Sequence, residues 1–398
     1  MCSTTEGRDQ NARSAKVAVG IVAEKDKDNA PSDTDSTTSG ASTPLPDLAS
    51  LNLNEADKHG MNQAFKDALA AHSSEEMRTA FWSFVKHDHP DGLLLRFLRA
   101  RKWDVQAALV MMVATMHWRI TEAHVDDDVM LRGEMALLKE SQSSDKTQKK
   151  EGEDFMAQLR MGKSFLHRYD KQGRPMCFVR VRLHRAGEQT EASLERFIVY
   201  TIETARLFLR LPVDTATIVF DMTDFSMKNM DYKPVKFMIK CFEANYPELS
   251  RITRRSGKVH LTMTANDLAE YIDMKQVRKE MAGQEDWTYK YPEPVEGENK
   301  AMDDTTTLET LQDDRAELVQ RYEKAILDWE VDPSRGKEIE SERNEVVKAL
   351  KNNYWKLDPY VRARSLYDRN GMLEKFQAGQ EGPKLTSRQV ETSADDLD

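Results

Sequence analysis

The acidic pair Asp221 and Asp224 is the first place in this sequence where side chains suggest chemistry. The pair follows a short apolar run, "TIVFDM", that is typical of a buried strand. Two carboxylates at the end of a strand can hold a metal ion in phosphoryl-transfer enzymes. No third ligand, glycine-rich phosphate loop or general base accompanies them at a clear spacing. We therefore favour turn and capping roles for both, and predict no catalytic residue and no metal site.

Histidines and cysteines add no clear reactive group. The isolated histidines in strand-like segments, to which we assign no chemistry, are His167, His184 and His260. The cysteines are Cys2, Cys177 and Cys241. Their wide, odd spacing forms neither a disulfide framework nor a zinc motif, which favours reduced thiols in an intracellular protein.

The net charge of the chain limits which partners it is expected to bind. The chain has 398 residues and a net charge of −10, so nucleic acid is not an expected partner. The clearest basic cluster is "RITRRSGK" at 251–258. We interpret it as a solvated loop, with contact to acidic lipid as the alternative.

The hydropathy of the sequence predicts no membrane-spanning helix. The longest uninterrupted apolar run is Ala107 to Ala114, far short of the roughly 20 residues that cross a bilayer. The N-terminal sequence has no apolar core of a signal peptide, so we do not expect secretion. The mean hydropathy of −0.69 indicates long polar segments beside a core.

The coarse pattern begins with helices. Residues 1–57 carry few large apolar groups and are predicted to be disordered. Helices are predicted between 61 and 122, with Asp104 as the N-cap of an apolar stripe. The polar segment 139–154 is predicted to be a loop.

Strands and helices then alternate, which favours a layered α/β domain. Two strands are predicted around Gly173 and Pro175, and further strands at "TATIVFDM" and "KVHLTMT". The intervening helices include "SLERFIVYTIETARLFLRL", "DYKPVKFMIKCFEANYPE" and a helix that Gly283 closes. Beyond Pro294 two helical stripes follow, and residues 379–398 are predicted to be disordered.

Four ordered stretches resemble the CRAL-TRIO family, in particular the fungal phosphatidylinositol/phosphatidylcholine transfer proteins. They are "LLLRFLRARKWDVQAALVMM…HWR", "YDKQGRPMCFVR", "TIVFDMTDFS" with "KCFEANYPE", and "AEYIDMKQVRKEMAGQEDW". The resemblance implies an α/β fold in which helices pack on a small mixed sheet. It divides the chain into an N-terminal helical module (58–122), a lipid-binding domain (155–294) and a helical extension (295–378). It also implies a bound phospholipid, no other cofactor and no catalysis.

The same resemblance assigns a phosphatidylinositol headgroup site. Its members are Arg101 in "LRARKWD", Glu248 in "NYPE" and Lys258 in "SGKVH". Arginine and lysine neutralise a phosphodiester, and a carboxylate accepts hydrogen bonds from inositol hydroxyls. The structural alternatives are a charge at a helix C-terminus for Arg101 and a solvated turn for Glu248.

An apolar pocket wall is also implied. Its predicted residues are Phe197, Tyr200, Thr201, Phe208, Ile218, Phe220 and Met238. Three further methionines, Met111, Met112 and Met116, could adapt to acyl chains of varied shape. Ordinary core packing is the alternative for each of these side chains.

One departure from the family pattern stands out. Only nine residues, Leu249 to Gly257, separate Glu248 from Lys258, where the family has a further strand and a lid helix. Without a lid, each methylene exposed to water costs about 0.8 kcal/mol. An imperfect gene model, a splice variant, or a divergent member covered by another segment would explain the gap. The clean resumption of the pattern on both sides favours the first.

The sequence therefore predicts a cytoplasmic, monomeric lipid-transfer protein that meets intracellular membranes transiently. Phosphatidylinositol is the favoured ligand and phosphatidylcholine a second candidate. The alternative is a transfer-defective variant that acts as an interaction or regulatory protein. An enzyme working through Asp221 and Asp224 is the least favoured hypothesis.

Overall fold

The computed structural model describes residues 60–247 and 265–379, together with the pair Val17–Ala18. For that pair and for residues 265–267 only the backbone is described. Several predictions fall outside the described residues: the rest of the tail at 1–57, Cys2, Glu248, Lys258, the gap between those two, the basic cluster at 251–258, His260, the strand "KVHLTMT" and the segment beyond 379.

The predicted N-terminal helices are present. They are α1 (Met61–Ala71), α2 (Ser74–Val85), α3 (Pro90–Ala100) and α4 (Val105–His117). Asp104 caps α4 as predicted, because its Oδ1 accepts a hydrogen bond from the Ala107 N–H at 2.9 Å. The chain continues from α4 in π-helical turns at Trp118–Glu122 and Val125–Met130.

The loop predicted at 139–154 is wrong. Helix α5 (Leu131–Glu140) ends inside that segment, and α6 (Lys146–Arg160) begins after a short turn. Asp145 caps α6 by accepting hydrogen bonds from two backbone N–H groups. Gly152 is needed where the helices meet, since a Cβ there would lie 2.5 Å from the Leu137 carbonyl oxygen. The first turns of α6 are polar, and the large buried residues Phe155, Met156 and Leu159 lie in its second half. An amphipathic pattern is therefore not visible in the first half of the helix.

A small mixed sheet forms the centre of the next layer. Its strands are β1 (Val17–Ala18), β2 (Ser164–Tyr169), β3 (Pro175–Arg180) and β4 (Thr217–Asp221), in the order β1-β4-β3-β2. Strands β2 and β3 are antiparallel around the predicted turn, whereas β3 and β4 are parallel. The two residues of β1 pair antiparallel with β4.

Helices cover the sheet. They are α7 (Glu191–Arg206), α8 (Tyr232–Lys240), which continues as a π-helical turn to Asn245, and α9 (Ala265–Tyr271). The predicted helix ending at Gly283 is shorter than expected and gives way to two 3-10 turns. Gly283 lies directly against Val277, where a Cβ would come 1.9 Å from the Val277 carbonyl oxygen. This close approach folds the segment back on itself instead of extending the helix.

The C-terminal segment packs onto the N-terminal helices. It contains α10 (Thr305–Val331), α11 (Gly336–Val361), α12 (Leu366–Arg369) and α13 (Met372–Gln377). The Glu323 carboxylate of α10 accepts hydrogen bonds from Arg78 at 2.8 and 2.9 Å and from the Trp82 indole N–H at 2.9 Å. Asp91 of α3 contacts both Tyr322 and Arg343. The extension is thereby part of the core and not an appended arm.

One main hydrophobic core runs from the N-terminal helices through α7 to the C-terminal helices. A second core lies around Phe165, Phe178 and Val219 of the sheet and includes Leu268 and Val277. Among the residues that the structure describes, no helix has the length and hydropathy to cross a membrane.

Candidate functional site

Arg101, the predicted headgroup arginine, directly follows the last residue of α3. Its backbone N–H donates to the carbonyls of Phe97 and Leu98, at 3.1 Å each, so the helix end fixes its position. The next two residues, Lys102 and Trp103, have φ values of 53° and 68°. Non-glycine residues rarely adopt this left-handed region, and such strain is concentrated at functional sites. The half-buried Arg101 is followed by a Trp103 side chain that is 53% exposed.

The Tyr-Pro-Glu turn is anchored at its tyrosine. The Tyr246 side chain is fully buried, and its hydroxyl donates to Glu203 Oε1 at 2.8 Å. Glu248 lies two residues further on, beyond the described residues, as does Lys258. Their headgroup roles therefore stay predictions, whereas the start of the turn is firmly held.

Three of the seven predicted wall residues are buried among other side chains. The rings of Phe197 and Tyr200 pack edge-on against Phe155, with centroids 5.8 and 5.5 Å apart. Phe208 packs in the same way against Tyr367 of α12 at 5.5 Å. These contacts fit the core-packing alternative for all three.

The other four wall residues keep partial exposure. They are Thr201 on α7, Ile218 and Phe220 on β4, and Met238 on α8. Strand β4 alternates, so that Val219 is buried in the second core while its two neighbours point to the opposite, half-exposed face. Of the predicted wall, these four residues are the ones that stay partly accessible.

The three methionines predicted to adapt to acyl chains lie on α4. Met111 and Met116 are buried in the main core, and Met112 is half-buried against it. The first two therefore pack within the protein.

A buried ionic cluster, which sequence reasoning missed, is centred on Glu203 of α7. The Glu203 carboxylate lies 2.5 Å from Lys86 Nζ, 2.6 Å from Arg119 Nη1 and 3.4 Å from Arg206 Nη1. Burial alone raises the pKa of this carboxyl, but Arg119, Lys86 and Arg206 outweigh burial and hold the pKa well below its usual value. The cluster ties the N-terminal helices to α7 through charge-assisted hydrogen bonds.

Two more carboxylates lie beside these cations. Asp126 lies 3.0 Å from Arg119 and 3.5 Å from Lys86. Asp88 lies 3.3 Å from Arg206. The guanidinium carbons of Arg119 and Arg206 also lie 4.2 Å from the centroid of the buried Phe84 ring. No sequence motif signals this cluster, because its members are scattered from α2 to the Tyr-Pro-Glu turn.

A second buried carboxylate, Glu134 of α5, holds the C-terminal segment. It accepts hydrogen bonds from the Tyr200 hydroxyl at 2.6 Å, the Tyr291 hydroxyl at 2.7 Å and the Leu366 N–H at 3.0 Å. Arg369 of α12 forms an ion pair with it as well. One acidic side chain thus joins α5, α7 and α12.

The chain matches two domains of a known protein family. The CRAL/TRIO N-terminal domain matches residues 61–114, and the CRAL/TRIO domain matches residues 159–253. The chain is 41% identical, over 75% of its own length and 69% of the relative's, to the CRAL-TRIO domain-containing protein C3H8.02 of Schizosaccharomyces pombe. The chain belongs to the CRAL-TRIO family.

A further CRAL-TRIO relative has a functional name. The chain is 36% identical to the phosphatidylinositol transfer protein CSR1 of Eremothecium gossypii, over 79% of this chain and 74% of that protein. A more distant relative, at 25% identity over 76% of this chain and 88% of its own, is the CRAL-TRIO domain-containing protein C365.01 of S. pombe. Family membership confirms the predicted fold and a lipid-binding function.

In this CRAL-TRIO chain, Asp221 and Asp224 do not converge. Asp221 is fully buried and accepts hydrogen bonds from Arg182 at 3.2 Å and Arg278 at 3.5 Å. Asp224 is exposed, with a φ of 55°. Within residues 60–247 and 265–379, no group of three potential ligands is placed to hold a metal ion. The pair fits turn and ion-pair roles.

A polar cavity of about 470 Å³ lies beside the N-terminal half of α7. Its size falls in the range of roughly 300–1,000 Å³ that is usual for small-molecule sites. The carboxylates that line it are those of Glu122, Asp128, Glu140, Glu151 and Glu195. Burying acyl chains against charged groups is costly, so this cavity does not suit the apolar part of a phospholipid.

Proposed function

We propose that this CRAL-TRIO protein binds one phospholipid and transfers it between membranes, with phosphatidylinositol as the favoured ligand. The observation that carries the proposal is the 36% identity, over 79% of the chain, to a protein named for phosphatidylinositol transfer. Arg101 supports it, because a half-buried cation at a strained helix end suits a phosphodiester.

Contacts with the headgroup, rather than burial of the acyl chains, should decide which lipid the protein binds. Each buried methylene gains about 0.8 kcal/mol in a bilayer and the same in an apolar pocket. Acyl burial therefore nearly cancels between the two environments. Polar contacts with the headgroup decide which lipid is extracted, and Arg101 is the predicted headgroup residue within the described part of the chain.

Half-exposed apolar side chains support an acyl-chain site in this proposal. The half-exposed Ile218, Phe220 and Met238 come from β4 and α8, and the latter leads directly into the anchored Tyr246 turn. On the buried side, Phe208 is backed by Tyr367 of α12. The C-terminal helices would thus form the rear support of the pocket.

Arg101→Ala is expected to lower phosphatidylinositol transfer by about 10- to 100-fold and to spare phosphatidylcholine. The reason is that phosphatidylinositol has a net negative charge, which a hydrogen bond from Arg101 stabilises by about 1.5–3 kcal/mol, whereas the choline cation of phosphatidylcholine balances its own phosphate. The measurement is the transfer rate of each labelled lipid between donor and acceptor vesicles. Arg185→Ala, which removes an exposed arginine from a surface pair at 3.6 Å, is the matched control.

Two results would count against this account. Equal loss of both lipids would show that Arg101 does not select phosphatidylinositol. No transfer by the unaltered chain would remove the proposed function and leave the interaction-protein alternative.

A further inference from the structure

A run of exposed apolar side chains begins after β4 and continues into the first turn of α8. Met227 is 76% exposed, Met230 63%, Tyr232 73% and Val235 42%. Helix α8 has no fully buried residue. We call the segment Met227–Lys240 the docking surface.

Hydrogen bonds from a buried side chain fix the backbone of the docking surface. Asn229 is buried, and its amide donates to the carbonyls of Arg182 at 3.0 Å and His184 at 2.8 Å. Ser226 and Asn229 also form a reciprocal cap. Because these bonds fix the backbone, the flanking methionines are presented to solvent at little further cost in conformational entropy.

Helix α8 has two distinct faces. Positions 232, 235, 236, 239 and 240 share one side of the helix, as the i, i+3 and i+4 spacing requires. Phe237 and Met238 lie on the other side and pack against the main core. The outward side therefore combines the exposed Tyr232 and Val235 with lysine, next to the apolar face that the proposed function assigns to the lipid.

The charge of this segment opposes that of the whole chain. The docking surface contains one acidic residue, Asp231, whose carboxylate lies 3.1 Å from His184 Nε2. Lys233 pairs with Glu191 of α7 at 3.1 Å. The lysines are Lys228, Lys233, Lys236 and Lys240, so the segment has a net charge of +3 (four minus one) in a chain of net charge −10.

A second exposed apolar stretch differs from the docking surface in the charge of its neighbouring residues. Leu327 and Val331, at the end of α10, are 60% and 85% exposed. The charged residues between positions 327 and 332 are Asp328, Glu330 and Asp332, of which Asp328 pairs with Lys324 at 2.6 Å. Exposed apolar side chains with lysines suit an anionic membrane, whereas the same kind of side chains with carboxylates are repelled by it.

We propose that the docking surface binds anionic phospholipid bilayers, inserting its methionines and Tyr232 among the headgroups. This inference rests on the proposed function for its purpose, since a transfer protein must approach a membrane. It does not depend on which lipid the pocket holds.

The test is co-sedimentation of the full chain with vesicles of phosphatidylcholine and phosphatidylserine that contain no phosphatidylinositol. Met227→Ser with Met230→Ser is expected to weaken binding about tenfold, which corresponds to 1.4 kcal/mol. Lys228→Gln with Lys236→Gln is expected to weaken binding similarly at low salt and to have less effect at high salt. Leu327→Ser with Val331→Ser, the control on the acidic stretch, should bind like the unaltered chain.

Each other outcome overturns the inference. These are no binding of the unaltered chain to anionic vesicles, full binding by both docking-surface variants, or an equal loss in the control. The substituted side chains are exposed, so unchanged thermal unfolding will show that the variants are folded. Vesicle binding without lipid transfer would contradict the proposed function alone, and transfer undiminished in both docking-surface variants would contradict this inference alone.

Discussion

Glu203→Gln is expected to lower the free energy of unfolding by about 3–5 kcal/mol, because it leaves three buried cations with only Asp126 and Asp88, among the described residues, as counter-charges. The carboxylate is fully buried and contacts Lys86, Arg119 and Arg206 at 2.5 to 3.4 Å. The amide keeps the size of the side chain but not its charge. Since the pKa of Glu203 is held below its usual value, the stabilisation is complete at neutral pH and declines as the pH falls below about 4.3.

Chemical denaturation of the full chain, followed by circular dichroism, measures this loss. Glu338→Gln is the matched control, because Glu338 forms an exposed pair with Arg335 at 3.0 Å. It should change the free energy of unfolding by less than about 0.5 kcal/mol. A change of the same small size for Glu203→Gln would contradict the view that this cluster joins the N-terminal helices to α7.

Glu134→Gln is expected to cost about 3 kcal/mol and to loosen the C-terminal helices. The carboxylate receives bonds from Tyr200, Tyr291 and the Leu366 N–H, and forms an ion pair with Arg369. A neutral amide cannot form this ion pair, and Arg369 would keep only Glu298, at 3.0 Å, as its counter-charge in the described part of the chain, so α12 should detach more readily. Detachment would remove Tyr367 from Phe208 and open the rear of the proposed pocket.

Limited trypsin digestion with mass spectrometry reports this detachment directly. In Glu134→Gln, cleavage after Arg364 and Arg369 should accelerate relative to cleavage elsewhere in the chain. Glu374→Gln, which alters an exposed carboxylate on α13, should leave the cleavage pattern unchanged. Equal protection of the C-terminal helices in both variants would show that Glu134 does not hold them.

Local signals made much of the fold predictable. Asp104 marks the start of α4 because a cap and an apolar stripe are both readable over one helix. The turn between β2 and β3 is readable from Gly173, which has a φ of 80°. Helix α6 was missed because its first turns are polar and its buried side chains begin only at Phe155.

The cluster around Glu203 could not be predicted, because three of its four partners lie far from Glu203 in sequence: Tyr246 by 43 positions, Arg119 by 84 and Lys86 by 117. Only the tertiary fold brings such groups together. The docking surface is ambiguous in sequence for a different reason. Val235 and Ile239 on one side of α8, and Phe237 and Met238 on the other, are all apolar, so periodicity does not reveal which side faces the core.

The structure describes some of the predicted site residues but not Glu248 and Lys258. Arg101 lies at a strained helix end, and four of the seven wall residues keep partial exposure. Phe197, Tyr200 and Phe208 are buried by aromatic neighbours that the sequence did not link to them. The roles of Glu248 and Lys258, and the gap between them, stay predictions.

The most direct test of the central claim is native mass spectrometry of the purified full chain, with extraction and identification of any bound lipid. We predict one phospholipid bound per chain, with phosphatidylinositol as the main species. A chain that carries no lipid, and takes up none from vesicles containing phosphatidylinositol, would contradict the account.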